Sequence, residues 1–427
     1  MGRIAAASAA GTAIEFYDFF AYGTAAALVL GPLFFPDFSA MAGTLAAFGT
    51  FGVGFVARPL GSMLFGHFGD RLGRRPVLVA SLMLTGLATT AVGFVPTYDR
   101  IGAAAPAILI ALRFLQGLGL GGEWGGAVLL TAEHAPRGRR GLWASLPQTG
   151  PAVGFVLANG IMLVLSGWLT DAQFRDWGWR VPFWAAGVLA LGGLWLRAAL
   201  PESPDFAAAA ERGQLARLPL GELLRDHWRL VLLTAGAVAG GYAVFYTVTT
   251  WSLSYATERL GMDRTVALGA LMAGVVVKGA ATPFVGLLGD RLGRRPLALA
   301  GTAAAGVGIF PFIWLLATGS APAMALGAAL ELLAFITAFG VLGAYVPELY
   351  EPRLRCTGAG FGYNLGGILG GALTPLAATR LAQGEGTPWA VAAYVAMIAL
   401  LSLACFAGLP DTMTGGAGEG DLVGAPA

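Results

Sequence analysis

Residues 66–76, GHFGDRLGRRP, recur almost unchanged 220 positions later as GLLGDRLGRRP at residues 286–296. The two copies keep their first and later glycines, the aspartate, the three arginines and the proline in register, and each follows a long apolar run. Glycine permits a tight turn between two closely packed helices. A loop that served only as a basic anchor would not repeat glycine, aspartate and proline at the same places. The repeat therefore indicates that a larger unit is duplicated.

The composition predicts a membrane environment for this unit. Of the 427 residues, 56% are hydrophobic and only 12% are charged. A soluble domain carries about 25% charged residues, so this chain cannot cover a water-facing surface. Its apolar runs reach the length of about 20 residues that crosses a bilayer core. Glycine, at 65 residues, is abundant where transmembrane helices pack closely.

Twelve apolar runs can be placed along the chain, at roughly 10–33, 43–66, 77–95, 104–131, 142–166, 180–199, 229–255, 265–288, 297–318, 322–346, 357–380 and 388–409. The sequence predicts an all-α integral membrane protein with twelve transmembrane helices in two six-helix halves. The predicted parts are an N-terminal half (1–199), a cytoplasmic central loop (200–228), a C-terminal half (229–409) and a disordered cytoplasmic tail (410–427).

The basic residues predict the orientation of the chain. With both termini inside the cell, seventeen of the 26 basic residues lie on the cytoplasmic side, three lie within spans and six lie outside. This is the bias of the positive-inside rule. The first run lacks the pattern of a cleavable signal and is expected to remain as a span. Both copies of the opening loop are then cytoplasmic.

The duplication also bears on function. Parallel six-span halves are typical of secondary transporters whose substrate site lies near the membrane midplane. The polar segments hold no nucleophile–base set, phosphate loop or metal cluster, and the two cysteines, Cys356 and Cys405, have no metal-ligand spacing. An enzyme, a cofactor, a metal site and a nucleic-acid partner are therefore not expected. The loops are too short for the nucleotide domain of an ATP-driven pump.

Several stretches resemble a known family. The GDRLGRR pair resembles the signature loop of the major facilitator superfamily, and RFLQGLGLGGEWGGA (113–127) resembles the motif of its fourth span. Residues 11–36 and 51–76 together resemble the metabolite:H⁺ symporter family within it. The resemblance implies the major facilitator fold, a functional monomer in the bacterial inner (plasma) membrane, and proton-coupled uptake of a small organic anion such as shikimate, 2-oxoglutarate or another carboxylate. Symport of proline or betaine remains an alternative, and Gly150-Pro151 in the fifth span leaves efflux by antiport open.

Charges inside the spans are the first candidates for function, because they are costly unless they face the bundle interior or a wet cavity. In the first span Glu15, Asp18 and Tyr22 share one helical face. Intramembrane carboxyl groups are typical of proton relays, so we expect Asp18 to carry the proton with Glu15 as its partner. The resemblance also implies acids at these positions. Alternatively, both acids form structural ion pairs with basic residues.

The fourth span presents Arg113, Gln116 and Glu123 on one face. Arginine stays charged and binds carboxylates bidentately. The resemblance implies that Arg113 takes part in proton transfer or anion binding, and we group Glu123 with it in proton coupling. A structural ion pair of Arg113 with Glu15 or Asp18 is the alternative.

Two cations occupy equivalent places in the two halves. Arg58 and Lys278 each lie eight residues before the repeated loop, and Lys278 is the only lysine. Eight helical residues span about 12 Å, which places both within the hydrocarbon region. We expect them to face a central cavity from opposite halves and to favour an anionic substrate. Alternatively, Arg58 locks the end of its helix, and Lys278 snorkels or pairs with Glu331.

Neutral polar side chains on neighbouring spans are further candidates for substrate contact. They are Tyr22, Gln148, Asn159, Asn364, Tyr242 and Tyr246. An aromatic helix face also suits packing or lipid contact.

The repeated loops themselves predict a cytoplasmic gate. Its aspartates are expected to pair with arginines or to cap a neighbouring helix, which would stabilise the outward-facing state. The predicted gate residues are Asp70, Arg71, Arg74, Arg75, Asp290, Arg291, Arg294, Arg295, Glu133 and Glu348.

Overall fold

A computed structural model of the chain describes residues 2–136, 138–198, 219–351, 354–383 and 388–412. Within these ranges the side chains of Arg3, Ile4, Ala40, Asp70, Arg74, Gly125, Gly126, Arg197, Ala198 and Pro219 are not described. Residues 199–218 and 413–427 lie outside the described residues. They include most of the predicted central loop and most of the predicted tail. The described part of the loop ends in a short helix, Pro219–Asp226.

Six long helices make up the first part of the fold. They are α1 (Gly2–Ala25, continued by a π-helical turn at Ala26–Leu30 and by Gly31–Phe34), α2 (Ala40–Leu72), α3 (Arg74–Val92), α4 (Ala104–His134), α5 (Gly150–Trp168) and α6 (Val181–Ala198). Shorter helices lie between them at Tyr98–Ile101, Arg140–Ser145, Pro147–Thr149, Asp171–Asp176 and Gly178–Arg180.

Six further long helices follow. They are α7 (Trp228–Tyr246, with a π turn at Thr247–Trp251 and a last segment Ser252–Glu258), α8 (Arg264–Leu292), α9 (Arg294–Ala317), α10 (Ala321–Phe339, followed by Leu342–Glu348), α11 (Arg355–Gly367, a π turn at Ile368–Ala372, and Leu373–Leu381) and α12 (Trp389–Gly408). Eleven helical stretches of the described chain are long and apolar enough to cross a membrane. The remaining long helix, α11, is rich in glycine and buried along most of its length.

The predicted all-α, twelve-helix fold is confirmed, and no strand occurs in the described ranges. Several helices run beyond the predicted apolar runs: α2 continues from the predicted end at 66 to Leu72, and α8 from 288 to Leu292. Hydropathy reports where lipid surrounds a helix, whereas the backbone stays helical until a residue breaks it. That residue is Gly73 (φ 103°) after α2 and Gly293 (φ 94°) after α8. Both φ values favour glycine, as the repeated loop predicted.

Helices α2 and α4 cross with almost no side chain between them. A Cβ atom on Gly117 would collide with the carbonyl oxygen of Gly54, and one on Gly121 would collide with that of Arg58. A Cβ on Gly54 would lie 2.7 Å from the Arg113 Nη2 atom. The small residues therefore place the Arg113 guanidinium directly against the α2 backbone.

Two of the π turns lie at equivalent places in the duplicated chain. The turn in α1 begins at Ala26 and the turn in α7 at Thr247, 221 positions later. This separation is close to the 220 of the repeated loops. Single π turns inside α-helices are frequent at functional sites.

Candidate functional site

A small cavity of about 30 Å³ lies where the first six helices meet the last six. Its walls are Phe16, Gln148, Pro151, Tyr242, Phe245, Tyr246, Lys278, Phe335, Ile336, Phe339 and Tyr363. A water molecule needs roughly 10–15 Å³ of such space. The cavity therefore has room for a few waters at most, and a metabolite requires its walls to separate.

Lys278 supplies the charge on the cavity wall. Its side chain is buried, and Nζ donates a hydrogen bond to the Gln148 carbonyl oxygen at 3.3 Å. Nζ also lies 5.9 Å from the centre of the Phe245 ring and 5.8 Å from that of Phe335. An ammonium group has three donors, so the bond to Gln148 leaves capacity for an anion in the cavity.

Glu331 lies near the same depth as Lys278 but does not pair with it. Gly274 of α8 packs against Ala328 of α10, and the two helices run in the same direction, which puts residues 278 and 331 at similar levels. The Glu331 carboxylate occupies the space beside Gly308 of α9. Neither of its oxygens has a hydrogen-bond partner within the described ranges. The alternative Lys278–Glu331 ion pair is thus not formed in this structure.

Arg58 lies behind the cavity wall rather than on it. Its guanidinium lies over the rings of Phe19 and Phe55, 4.1 and 4.4 Å from their centres. It also lies beside the hydroxyl groups of Tyr242 and Tyr246, which do line the cavity. Of the two cations that the repeat placed in register, the structure brings only Lys278 to the cavity.

A second polar cluster is built entirely from α1 to α4. Arg113 Nη1 donates to Gln116 Oε1 at 2.7 Å, and Gln116 Nε2 donates to Thr89 Oγ1 at 2.5 Å. The Asp18 carboxyl group faces both Thr89 and Arg113. All four side chains are buried. The structure therefore places Asp18 and Arg113 in one buried cluster, with no ion pair between them among the described residues.

Tyr22 completes this cluster. The Arg113 guanidinium lies over the Tyr22 ring at 4.0 Å from its centre, and the Tyr22 and Thr50 hydroxyl groups are hydrogen-bonded at 2.6 Å. Cation–π contact of this kind compensates a buried guanidinium. Tyr22 and Arg113 contact each other and do not reach the cavity wall in this state.

The other two predicted proton-coupling residues are buried at different distances from the cluster. Glu15 is fully buried one helical turn before Asp18 on α1. Glu123 is buried on α4 ten residues beyond Arg113, which is about 15 Å along a helix. The structure thus keeps Glu15 near Asp18 and separates Glu123 from Arg113.

The three predicted amides have different surroundings. Gln148 lines the cavity, accepting a hydrogen bond from Trp124 Nε1 at 3.2 Å and donating one to the Phe339 carbonyl oxygen at 3.3 Å. Asn159 accepts a bond from Thr24 at 2.7 Å and joins α5 to α1. Asn364 donates to the Gly121 carbonyl oxygen at 3.2 Å and joins α11 to α4. Asn159 and Asn364 lie off the cavity wall because their amides hold helices together.

The aromatic wall of the cavity was only partly predicted. Tyr242 and Tyr246 lie on it as expected, while Phe16, Phe335, Phe339 and Tyr363 were missed. The i, i+4 spacing of Phe335 and Phe339 is a signal that could have indicated a shared face. Behind the wall, Trp124 stacks on Tyr363 with ring centres 3.7 Å apart.

We call the side of the bundle that carries the two GDRLGRR loops the loop face. There the Asp290 carboxylate of α8 accepts hydrogen bonds from the Gly141 and Leu142 amides at 2.7 and 3.0 Å. It thereby caps the helix Arg140–Ser145, which leads into α5. Arg294 pairs with Asp290 at 3.7 Å and with Glu348. Both predicted contacts of this aspartate, the cap and the arginine pair, are present. The cap joins the two parts of the fold, whereas the arginine pair lies within the last six helices.

The remaining gate candidates lie around this contact. Arg355 approaches Glu133 at 4.0 Å, and Arg295 donates to the Phe406 carbonyl oxygen at 3.2 Å. The side chains of Arg71, Arg75 and Arg291 are exposed, and Arg71 lies 3.3 Å from His67 Nε2. The side chains of Asp70 and Arg74 lie outside the described set.

The opposite face is joined as well. Thr44 at the start of α2 donates to Glu258 at the end of α7 at 3.2 Å. Arg264 at the start of α8 pairs with Asp171, which precedes α6, at 3.4 Å. Because contacts cross between the first and last six helices at both faces and the cavity is small, the structure is an occluded arrangement.

Comparisons with known proteins agree with this architecture. The family described as "Sugar (and other) transporter" matches residues 4–227 and 222–416. The inner membrane metabolite transport protein YhjE of Escherichia coli (strain K12) is 43% identical over 406 residues, covering 94% of this chain and 92% of that protein. The shikimate transporter of the same organism is 38% identical over 423 residues, with the same coverage. Its proline/betaine transporter is 32% identical over 407 residues, covering 93% of this chain and 81% of that protein.

A solved structure extends the likeness to the fold. The xylose transporter XylE from E. coli, in a partially occluded inward open conformation, superposes with a TM-score of 0.75. The match covers 96% of this chain and 98% of that chain, at 19% sequence identity. At this level of identity the likeness concerns the fold alone.

Proposed function

Because the chain belongs to the family of sugar and other transporters, within the major facilitator superfamily, we propose that it is a proton-coupled symporter that takes up a small organic acid by alternating access. The chain is a multi-pass transporter of the bacterial inner membrane, and its relatives are transporters rather than enzymes. The acid substrate, the proton coupling and the direction of transport are the proposal. It includes a functional monomer with both termini in the cytoplasm, in keeping with the distribution of basic residues.

The observation that carries the acid substrate is the place of Lys278. It contributes the charge on the cavity wall, and within the described ranges it is not neutralised by Glu331. A buried ammonium group without an acidic partner is costly. A carboxylate in the cavity would provide that partner and complete its hydrogen bonds. The same proposal includes substrate contact by three residues that line the cavity together with Lys278, namely Tyr242, Tyr246 and Gln148.

The cluster around Asp18 supports proton coupling. Asp18 faces Arg113, and both are buried among α1 to α4 beside Phe19, whose ring lies 5.9 Å from that of Tyr246 on the cavity wall. A proton bound by Asp18 changes the net charge next to Arg113, and the aromatic side chains connect this change to the substrate site. We assign Asp18 as the proton carrier, with Glu15 as its neighbour and Arg113 as the charge that responds.

The contacts at the loop face indicate how the gate opens. The occluded arrangement closes this face through the hydrogen bonds that the Gly141 and Leu142 amides donate to Asp290, while Arg294 holds Asp290 and Glu348 together within the last six helices. Release of the substrate to the cytoplasm requires these contacts to break, and return to the outward-facing state requires them to form again. The capping contact should therefore set the rate of the cycle more than the affinity of the site.

Uptake into proteoliposomes tests the proposal. Labelled shikimate, 2-oxoglutarate, citrate, proline and glycine betaine would be offered with and without an inward proton gradient. We expect at least one of the acids to accumulate only when the gradient is present. Accumulation of proline or betaine without any acid would assign the protein to osmoprotectant symport, and acid uptake that ignores the gradient would refute proton coupling.

Replacing Asp290 with alanine is expected to slow transport with little change in KM. Loss of a helix cap by substitution with alanine costs about 0.5–2 kcal/mol, so the maximal rate should fall roughly 2- to 30-fold. Initial rates over a range of substrate concentrations measure both quantities. Asp263→Ala is the matched control, because Asp263 caps α8 through the Thr265 amide at 2.8 Å within a single helix start. Equal rates for the Asp290 variant and the native chain would contradict the gate.

A further inference from the structure

Resting on the proposed function, we infer that the acid carried by this site has a single carboxylate on a flat ring, and that dicarboxylates and tricarboxylates are excluded. This narrows the substrate class of the site formed by Lys278 and the aromatic wall. The inference comes from the count of charges on the wall and from the shape and chemistry of the remaining surface.

The charge count allows one carboxylate. Among the described residues that line the cavity, Lys278 is the single charged one. Arg58 is held behind the wall by the rings of Phe19 and Phe55, and Arg113 is held by Tyr22 and Gln116. A second carboxylate on the substrate would be buried without a cation, and an unpaired buried charge is strongly disfavoured. One carboxylate supplies the acidic partner that Lys278 lacks among the described residues on the cavity wall.

The rest of the wall favours a ring. Seven of the eleven lining residues are aromatic: Phe16, Tyr242, Phe245, Tyr246, Phe335, Phe339 and Tyr363. They come from α1, α7, α10 and α11, so aromatic surfaces enclose the cavity from several sides. Aromatic faces and edges pack well on a flat ring. Because the cavity holds only about 30 Å³ in the occluded state, a flat body also requires the least separation of these walls.

Polar groups are available for substituents on that ring. The Gln148 side chain and the tyrosine hydroxyl groups of Tyr242, Tyr246 and Tyr363 belong to the wall. Each of them can donate or accept a hydrogen bond. Hydroxyl groups on the substrate ring are therefore compatible with the site, whereas a further carboxylate is not.

An aromatic wall also suits a quaternary ammonium group, as in betaine, but the local charge argues against it. The Lys278 ammonium itself lies about 6 Å from the Phe245 and Phe335 rings. No carboxylate occurs among the described residues that line the cavity. A second cation in the cavity would thus be repelled by Lys278 without an acid on the wall to hold it.

Ligand-induced stabilisation of the purified full-length protein tests the inference without relying on transport. The probes are 4-hydroxybenzoate and shikimate, which carry one carboxylate on a ring, terephthalate, which adds a second carboxylate to the ring, 2-oxoglutarate, and glycine betaine. Each would be added at 10 mM and the melting temperature recorded. We expect the ring monocarboxylates to raise it by about 2 °C or more, and the other three to leave it unchanged.

The same scan on variants locates the effect. Lys278→Gln should lose the shift, and Arg225→Gln, which removes a cation whose side chain is 87% exposed, should keep it. The melting temperature without ligand shows that each variant is folded. Equal stabilisation by terephthalate, 2-oxoglutarate or betaine would overturn the inference, and so would the absence of any shift with both ring acids on the native chain.

The two proposals fail in different ways. Proton-driven accumulation of 2-oxoglutarate would uphold the proposed symport and refute the single-carboxylate ring. Stabilisation by ring monocarboxylates, together with uptake that does not depend on the proton gradient, would uphold the single-carboxylate ring and refute the proposed symport.

Discussion

Replacement of Asp18 by asparagine is expected to abolish accumulation driven by a proton gradient, because the amide cannot bind and release a proton. One coupled proton sustains accumulation of about tenfold per unit of pH difference, since each unit is worth about 1.4 kcal/mol. Native proteoliposomes should approach this ratio for the transported acid. The variant should stop at equal concentrations inside and outside. The steady-state ratio at a fixed pH difference is the measurement.

Exchange of labelled for unlabelled substrate should survive in the same variant. Asparagine has nearly the shape of aspartate, and Arg113 keeps its contacts with Gln116 and the Tyr22 ring. Exchange requires the halves to move but no net movement of protons. A variant that exchanges but does not accumulate therefore shows lost coupling, whereas loss of both activities would show a damaged fold.

Glu331→Gln is the matched control for Asp18→Asn. It also removes a carboxyl group that is buried within a helix, yet Glu331 lies beside Gly308 of α9, away from the Asp18 cluster. We expect this variant to accumulate substrate like the native chain. Accumulation that persists in Asp18→Asn would refute the assignment and move the proton to Glu15 or Glu123, which Glu15→Gln and Glu123→Gln would distinguish.

Replacement of Lys278 by glutamine is expected to weaken the binding of an anionic acid by roughly 10- to 100-fold, the value of losing a hydrogen bond to a charged group. The KM for uptake should rise accordingly. Lys278 bonds to the Gln148 carbonyl oxygen, and no carboxylate of the described chain forms a salt bridge with it. The substitution therefore removes a buried charge without orphaning an acid, and we expect the protein to stay folded.

Arg225→Gln serves as the control for the loss of one positive charge, since Arg225 is exposed in the short helix before α7. Its KM should equal that of the native chain. An unchanged KM in Lys278→Gln would return Lys278 to a structural role and remove the main support for an anionic substrate.

The sequence predicted the fold because hydropathy and duplication act along the chain. Twelve apolar runs produced twelve helices, and the turn at Gly73 recurs at Gly293 with a similar φ. The spacing of the repeat also predicted that Lys278 faces a central cavity, and Lys278 lies on the cavity wall. The spacing could not distinguish Arg58, whose position in the repeat is equivalent but whose guanidinium is held by Phe19 and Phe55. The position of a residue in the repeat predicts its depth in the membrane, whereas the side chains that surround it come from other helices and are not predicted by the repeat.

The polar and aromatic members of the site were harder to predict for a related reason. Asn159 and Asn364 occupy helix faces like that of Gln148, but their amides bond to Thr24 and to the Gly121 carbonyl oxygen. Phe335 and Phe339 could equally have faced lipid, because hydropathy does not separate a cavity wall from a lipid contact. Only the way in which the helices assemble around the cavity decides these cases.

The paired π turns of α1 and α7 bear on how the face opposite the loops opens. A π turn holds one residue more than an α turn, so its conversion to an α turn would rotate the segment beyond it by about 100°. In α7 that segment is Ser252–Glu258, which ends at the Glu258 bond to Thr44. Rotation about the helix axis would carry this carboxylate out of contact while the rest of α7 stays in place. We therefore expect the face opposite the loops to open by rotation of this segment as well as by movement of the first six helices relative to the last six.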